Sequence, residues 1–128
     1  MGTGSKGKSK YYRSIGQNVL IAASTYHYEH GGFGNQSTHG NAATRTIAAK
    51  DNVAAAIDFY RKIANGGIEQ RVNDNLLITR MADGTVVTMR YVSHSDGTPV
   101  VDINIKTSSH TGGVKNQKIH FIVGGDAK

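Results

Sequence analysis

At 128 residues the chain suffices for one domain that buries a core without covalent staples, and its lack of cysteine excludes disulfides and thiolate chemistry. Fifteen Lys and Arg against nine Asp and Glu leave a formal charge of +6, which favours polyanionic partners through counterion release. No apolar run approaches the length of a bilayer span, so no membrane insertion by this domain is expected.

Residues 1–10, MGTGSKGKSK, carry three of the lysines and read as a flexible basic leader, either the edge of a longer parent chain or an expression scar; no signal-peptide pattern opens it. Residues 11–128 read as a single domain. In YYRSIGQNVLIAASTYHY, Tyr11 to Tyr28, helical spacing joins Ile15, Val19, Ala22, Ala23 and Tyr26 and predicts a helix. The stretch EHGGFGNQSTHGNAATR, 29 to 45, is a long loop by composition. The clearest helix lies within IAAKDNVAAAIDFYRKIANGG, with Val53, Ile57, Tyr60 and Ala64 as its apolar stripe and Asn65-Gly66-Gly67 as its stop.

From Ile68 the period changes to two. NLLITRMADGTVVTMRYV predicts two strands joined at Ala82-Asp83-Gly84, because Asp-Gly favours a tight hairpin turn. A loop, SHSDGTP, leads to a strand from Val100 to Ile105, and KTSSHTGGVKN leads to a last strand from Gln117 to Val123. With a short extra strand near Gln70, the order predicts an α+β fold: N-terminal helices packed on one face of a four- to five-stranded antiparallel sheet.

Alternation assigns the faces of that sheet. Val87, Met89 and Tyr91, then Val101, Ile103 and Ile105, then Ile119, Phe121 and Val123 form the core side. Arg90, Asp102, Asn104, Lys118 and His120 share the other side, with Ser93, His94, Thr107, Ser108 and His110 in the flanking loops. A solvated outer face is ordinarily rich in Glu and Lys, and this one is almost free of Glu.

Such a set suits RNA cleavage. RNA carries its own nucleophile, the 2'-OH, so a base, an acid and cationic stabilisation of the phosphorane suffice, without a cofactor. His120 with His94 or His110 supplies the acid and base, Arg90 and Lys118 the charge, and Thr107 a polar catalytic group. Asn104, Ser93 and Ser108 are candidate substrate contacts, and no metal ligand is required. Which histidine acts as acid is not fixed by the sequence.

Helices followed by an antiparallel meander, with VVTMRYVSHSDGTPVVDINI leading to QKIHFIV, resemble the C-terminal toxin domains of bacterial contact-dependent inhibition and other polymorphic toxins. Those domains are similar to the barnase/EndoU/colicin/RelE superfamily of metal-independent ribonucleases, and the similarity covers roughly residues 47 to 123. The resemblance implies an RNA-cleaving toxin, often directed at tRNA, neutralised by a cognate immunity protein. It also implies delivery from the cell surface or by secretion, as part of a larger protein, with action in the target-cell cytoplasm. Only strand and loop positions carry over: Arg90, His94, Thr107, His110 and His120. The paired histidines of the EndoU branch have no clear match, the nearest being His27, His30 and His39. An immunity partner for a basic cleft is expected to be acidic.

Two other readings follow from the residues. His27 and His30 in YHYEH, with His39, could ligate zinc in a metal-dependent hydrolase. A non-enzymatic RNA-binding module would use the sheet face instead, but such platforms present stacking aromatics, and Tyr91 and Phe121 fall on the core side.

Overall fold

The computed structural model describes residues 13–36, 43–94, 96–106 and 112–124. A single turn of 3₁₀ helix, Ile15–Asn18, runs into a short helix α1, Val19–Ala23. Three two-residue strands follow: β1 Tyr28–Glu29, β2 Gly32–Phe33 and β3 Asn35–Gln36. Then come β4 Thr44–Ala49 and the main helix α2, Asn52–Ile63. Five strands complete the chain: β5 Ile68–Asn73, β6 Leu76–Arg80, β7 Val86–Arg90, β8 Val100–Asn104 and β9 Gln117–Val123.

Strands β5 to β9 form the expected antiparallel meander, with Met81 and Thr85 closing the Asp83-Gly84 hairpin by a 2.9 Å backbone bond. The sheet is nevertheless larger, and mixed. Its order is β3-β4-β9-β8-β7-β6-β5, and β4 lies parallel to β9 with Ile47 beside Phe121 and Thr46 beside His120. This corrects the loop assigned to 29–45, which holds β2, β3 and the start of β4. Alanines at 48 and 49 make β4 read as the onset of the helix. The helix instead begins after Asp51, whose carboxylate accepts the Ala54 N–H at 3.0 Å as an N-cap.

The apolar stripe of α2 is also rotated from the predicted one. Ala56, Phe59, Tyr60 and Ile63 are buried, at i, i+3, i+4 and i+7; of the predicted stripe Tyr60 and Ala64 are buried, whereas Val53 is 42% exposed and Ile57 only half-buried. Phe59 decides the rotation: its ring meets Tyr26, Phe33 and Phe121 at centroid distances of 5.4, 5.0 and 5.7 Å. Arg61 and Lys62 in the last turn suit the negative end of the helix dipole. Asn52 ties the first turn to the sheet, its amide donating to the Phe121 carbonyl at 2.9 Å.

Of the long N-terminal helix predicted from Tyr11 to Tyr28, the Ile15–Ala23 segment is the helical part among the described residues. Ser24 donates its hydroxyl to the Ile21 carbonyl at 2.6 Å and the chain tightens into a turn. Of the predicted stripe, Ile15, Val19 and Ala22 in that segment and Tyr26 in the turn beyond it are buried, while Ala23 is half-buried; Asn18 is buried as well. On β9, Ile119 and Phe121 are fully buried, but Val123 is 72% exposed because it lies at the end of the strand, beyond the reach of α2. Gly34, at φ 75°, passes so near β4 that a Cβ would lie 2.3 Å from the Thr46 carbonyl oxygen. Buried Gln117 locks the start of β9 to the β1–β2 hairpin, accepting from Phe33 N–H at 2.8 Å and donating to the Gly31 carbonyl at 3.0 Å.

Candidate functional site

The helices cover one face of the sheet, through contacts of α2 with β4, β7, β8 and β9. On the opposite face the register sets the side chains in rows. One row runs Leu76, Arg90, Val100, His120, Thr46, and the next Ile78, Thr88, Asp102, Lys118, Thr44. Arg90 and His120 are therefore two strands apart, about 10 Å along the hydrogen-bonding direction. Lys118 neighbours His120 along β9 and lies directly opposite Asp102, which on the middle strand is diagonal to both Arg90 and His120. The expected grouping of Arg90, Asp102, Lys118 and His120 is a contiguous patch.

This patch is not an ordinary solvated surface. His120 is 8% exposed, and Val100, between it and Arg90, is 3% exposed although it lies outside the helix-side core. Burial pushes the Asp102 carboxyl above the ordinary carboxylate range, and the nearby charges of Lys118, Arg90 and His120 do not cancel that rise.

The imidazole of His120 is held by a turn that the sequence reading treated as connection. Its Nδ1 lies 3.0 Å from the Thr98 hydroxyl and 3.4 Å from Asp96 Oδ1. Thr98 donates that hydroxyl hydrogen to Asp96 Oδ1 at 2.6 Å, and the same oxygen accepts Thr98 N–H at 3.1 Å and the Ser93 hydroxyl at 2.8 Å. Thr98 has one hydroxyl hydrogen, and Asp96 holds it. Nδ1 must therefore donate, which fixes the neutral tautomer with its lone pair on Nε2. The Thr98 hydroxyl foremost, with its backbone N–H, Ser93 and His120, holds the Asp96 carboxyl down at about 2. It stays ionised throughout the neutral range.

That depressed carboxyl carries a pH signature. Against an unfolded carboxylate near 3.9, its stabilisation is present above about pH 4 and is lost as pH falls toward 2. Asp96→Asn should flatten this part of the stability curve and cost about 1 kcal/mol at neutral pH, a modest figure because half the side chain faces water. Urea unfolding of both proteins, at neutral pH and across the acid range, checks this. Parallel acid loss in the two proteins would remove Asp96 as its source.

The other predicted residues are distributed as follows. His94 is exposed in the turn that also carries Ser93 and Asp96. Ser93 is buried, its hydroxyl committed to Asp96, so it shapes the turn. Asn104 is exposed opposite Val86, one step from Asp102 along β8. Thr107, Ser108 and His110 lie outside the described residues. Beside Lys118 a cavity of about 250 Å³ is lined by Thr44, Asp102, Asn104 and Asn116 among others. The Asn116 side-chain oxygen accepts the Ile105 N–H, which fixes the amide at the edge of this cavity.

Asp96, Thr98, Thr44 and Thr46 were missed by the sequence reading. SDGT is indeed turn chemistry, an Asp capping the N–H two residues on, but its link to a histidine 22 residues later leaves no local signal.

At the β1–β2 hairpin, His27 Nε2 lies 3.3 Å from Glu29 Oε1 and His30 Nδ1 3.8 Å from Glu29 Oε2. Both histidines thus meet one carboxylate, and His39 lies outside the described residues. Among the described residues no group of three His, Cys, Asp or Glu side chains is placed to hold a metal ion. No protein family, curated protein or solved structure matches the chain.

Proposed function

We propose that the chain is a metal-independent endoribonuclease, with tRNA as the expected substrate, whose open sheet face is the cleavage site. The observation that carries this reading is His120, shielded from water and supported at Nδ1 by Thr98 and Asp96, with Lys118 next to it on β9 and Arg90 two strands away on the same face. In the neutral tautomer Nε2 takes the 2'-OH proton as the 2'-oxygen attacks phosphorus, and a protonated His94 or His110 gives a proton to the 5'-oxygen as the P–O5' bond breaks; with His120 protonated at the outset the two roles are exchanged. Arg90 and Lys118 stabilise the phosphorane, and the products are a 2',3'-cyclic phosphate and a 5'-hydroxyl. The cavity beside Lys118 offers Asn104 and Asn116 to the edge of a base.

The biological role proposed with this activity is that of a toxin, delivered as part of a larger surface or secreted protein and acting in the target-cell cytoplasm. A cognate immunity protein with an acidic surface would oppose the Arg90–Lys118–His120 patch and exclude RNA from it.

The test is incubation of the purified chain with total RNA in EDTA, followed by electrophoresis and analysis of the new 3' ends. Discrete fragments ending in 2',3'-cyclic phosphate are expected, at an undiminished rate in the chelator. Intact RNA in EDTA, with cleavage restored by zinc, would replace this reading with the histidine–metal one.

A further inference from the structure

Strand β5 ends the sheet on the side away from β3, and among the described residues nothing pairs with its outer edge. All six of its residues, Ile68-Glu69-Gln70-Arg71-Val72-Asn73, are exposed, and it carries two large apolar side chains in water, Ile68 at 42% and Val72 at 46%. An open edge of that length is a template for another strand.

We propose that this edge pairs with β5 of a second copy, making a two-fold dimer with one continuous sheet. The argument is self-complementarity. When two such strands run antiparallel with Gln70 opposite Gln70, each Glu69 falls opposite an Arg71 and each Ile68 opposite a Val72. Opposite charges and apolar pairs facing across neighbouring strands are the favourable combinations. Centring the pair on Glu69 or on Arg71 sets like charges face to face, and a shift by half a step loses both ion pairs. One register therefore satisfies both charged positions, which lie in the regularly alternating part of the strand.

Pairing on the β6 side supports the same register. Regular alternation runs from Ile68 to Arg71, opposite Arg80 and Leu77, and the bulge falls at Val72, beyond both charged positions. Glu69 and Arg71 share the helix-side face with Thr79 and Leu77, so both ion pairs form on one side of the joined sheet. The two-fold axis keeps the open faces of both copies on the same side. The inference does not depend on catalysis. A strand edge alone buries less than the roughly 1,200 Å² of a standard stable interface, so the dimer is concentration-dependent.

Sedimentation velocity from low micromolar to submillimolar concentration tests it. The parent should move from monomer to dimer over this range. Glu69→Arg alone and Arg71→Glu alone should each weaken dimerisation at least tenfold, because like charges then face each other. Two results identify the register: the double variant E69R/R71E recovers the parent affinity, and the two single variants mixed together form a one-to-one heterodimer. A parent monomeric at every concentration would overturn the proposal, and so would single variants that dimerise like the parent or a double variant as weak as the singles.

Discussion

His120→Ala should lower RNA cleavage by about 10²- to 10⁴-fold, the range of a general acid–base residue. The loss should appear in the rate of a single turnover, with binding of RNA little changed, because Arg90 and Lys118 remain to hold phosphate. His120 is well buried, so a fall in activity could also arise from unfolding. Far-UV circular dichroism and the melting temperature of the variant separate the two. A second measurement uses the turn: Thr98→Val removes the acceptor of the Nδ1 hydrogen and leaves the imidazole in place. Its cleavage should fall less than that of His120→Ala, and its pH–rate profile should shift, since the tautomer is no longer set. A folded His120→Ala protein cleaving within threefold of the parent would remove His120 from the chemistry.

Phe59→Ala should cost about 3–5 kcal/mol, as large-to-small changes at fully buried aromatic positions do. The ring is completely buried where α2 meets the sheet, and it touches Tyr26 from the N-terminal segment, Phe33 from β2 and Phe121 from β9. Few residues join so many separate segments. Against a total stability of roughly 5–15 kcal/mol for a domain, that loss puts the variant near unfolding. Val53→Ala, on the stripe expected from the sequence, should stay within about 0.5 kcal/mol of the parent because Val53 lies in water. The urea midpoints of the two variants decide between the stripes. Equal losses would mean that α2 is rotated from the face described.

The meander from β6 to β9 was readable because its strands alternate and Asp83-Gly84 marks a turn by local stereochemistry alone, whereas β5, exposed throughout, showed only as a short extra strand near Gln70. The same alternation put Arg90, Lys118 and His120 on one face, so the charged part of the candidate site was legible. Other parts depended on partners distant in sequence. Ile47 is buried in a strand because Phe121 lies beside it, and nothing in TRTIAA distinguishes that from the start of an alanine-rich helix. Helical period alone fits both stripes of α2, and only the position of Phe33 and Phe121 selects the one with Phe59. Asp96 and Thr98 look like any Asp-Gly-Thr turn until β9 brings an imidazole against them.

The parallel pairing of β4 with β9 also bears on how the molecule is made. Thr44 meets Lys118 across 74 positions of chain, with a helix and four strands in between. Closing so large a loop is slow, and synthesis runs from the N-terminal side, so β4 leaves the ribosome long before the strand that flanks it. His120 and Lys118 arrive on that late strand. Until β9 inserts between β4 and β8, a nascent chain has its helices and most of its sheet but no assembled cationic face.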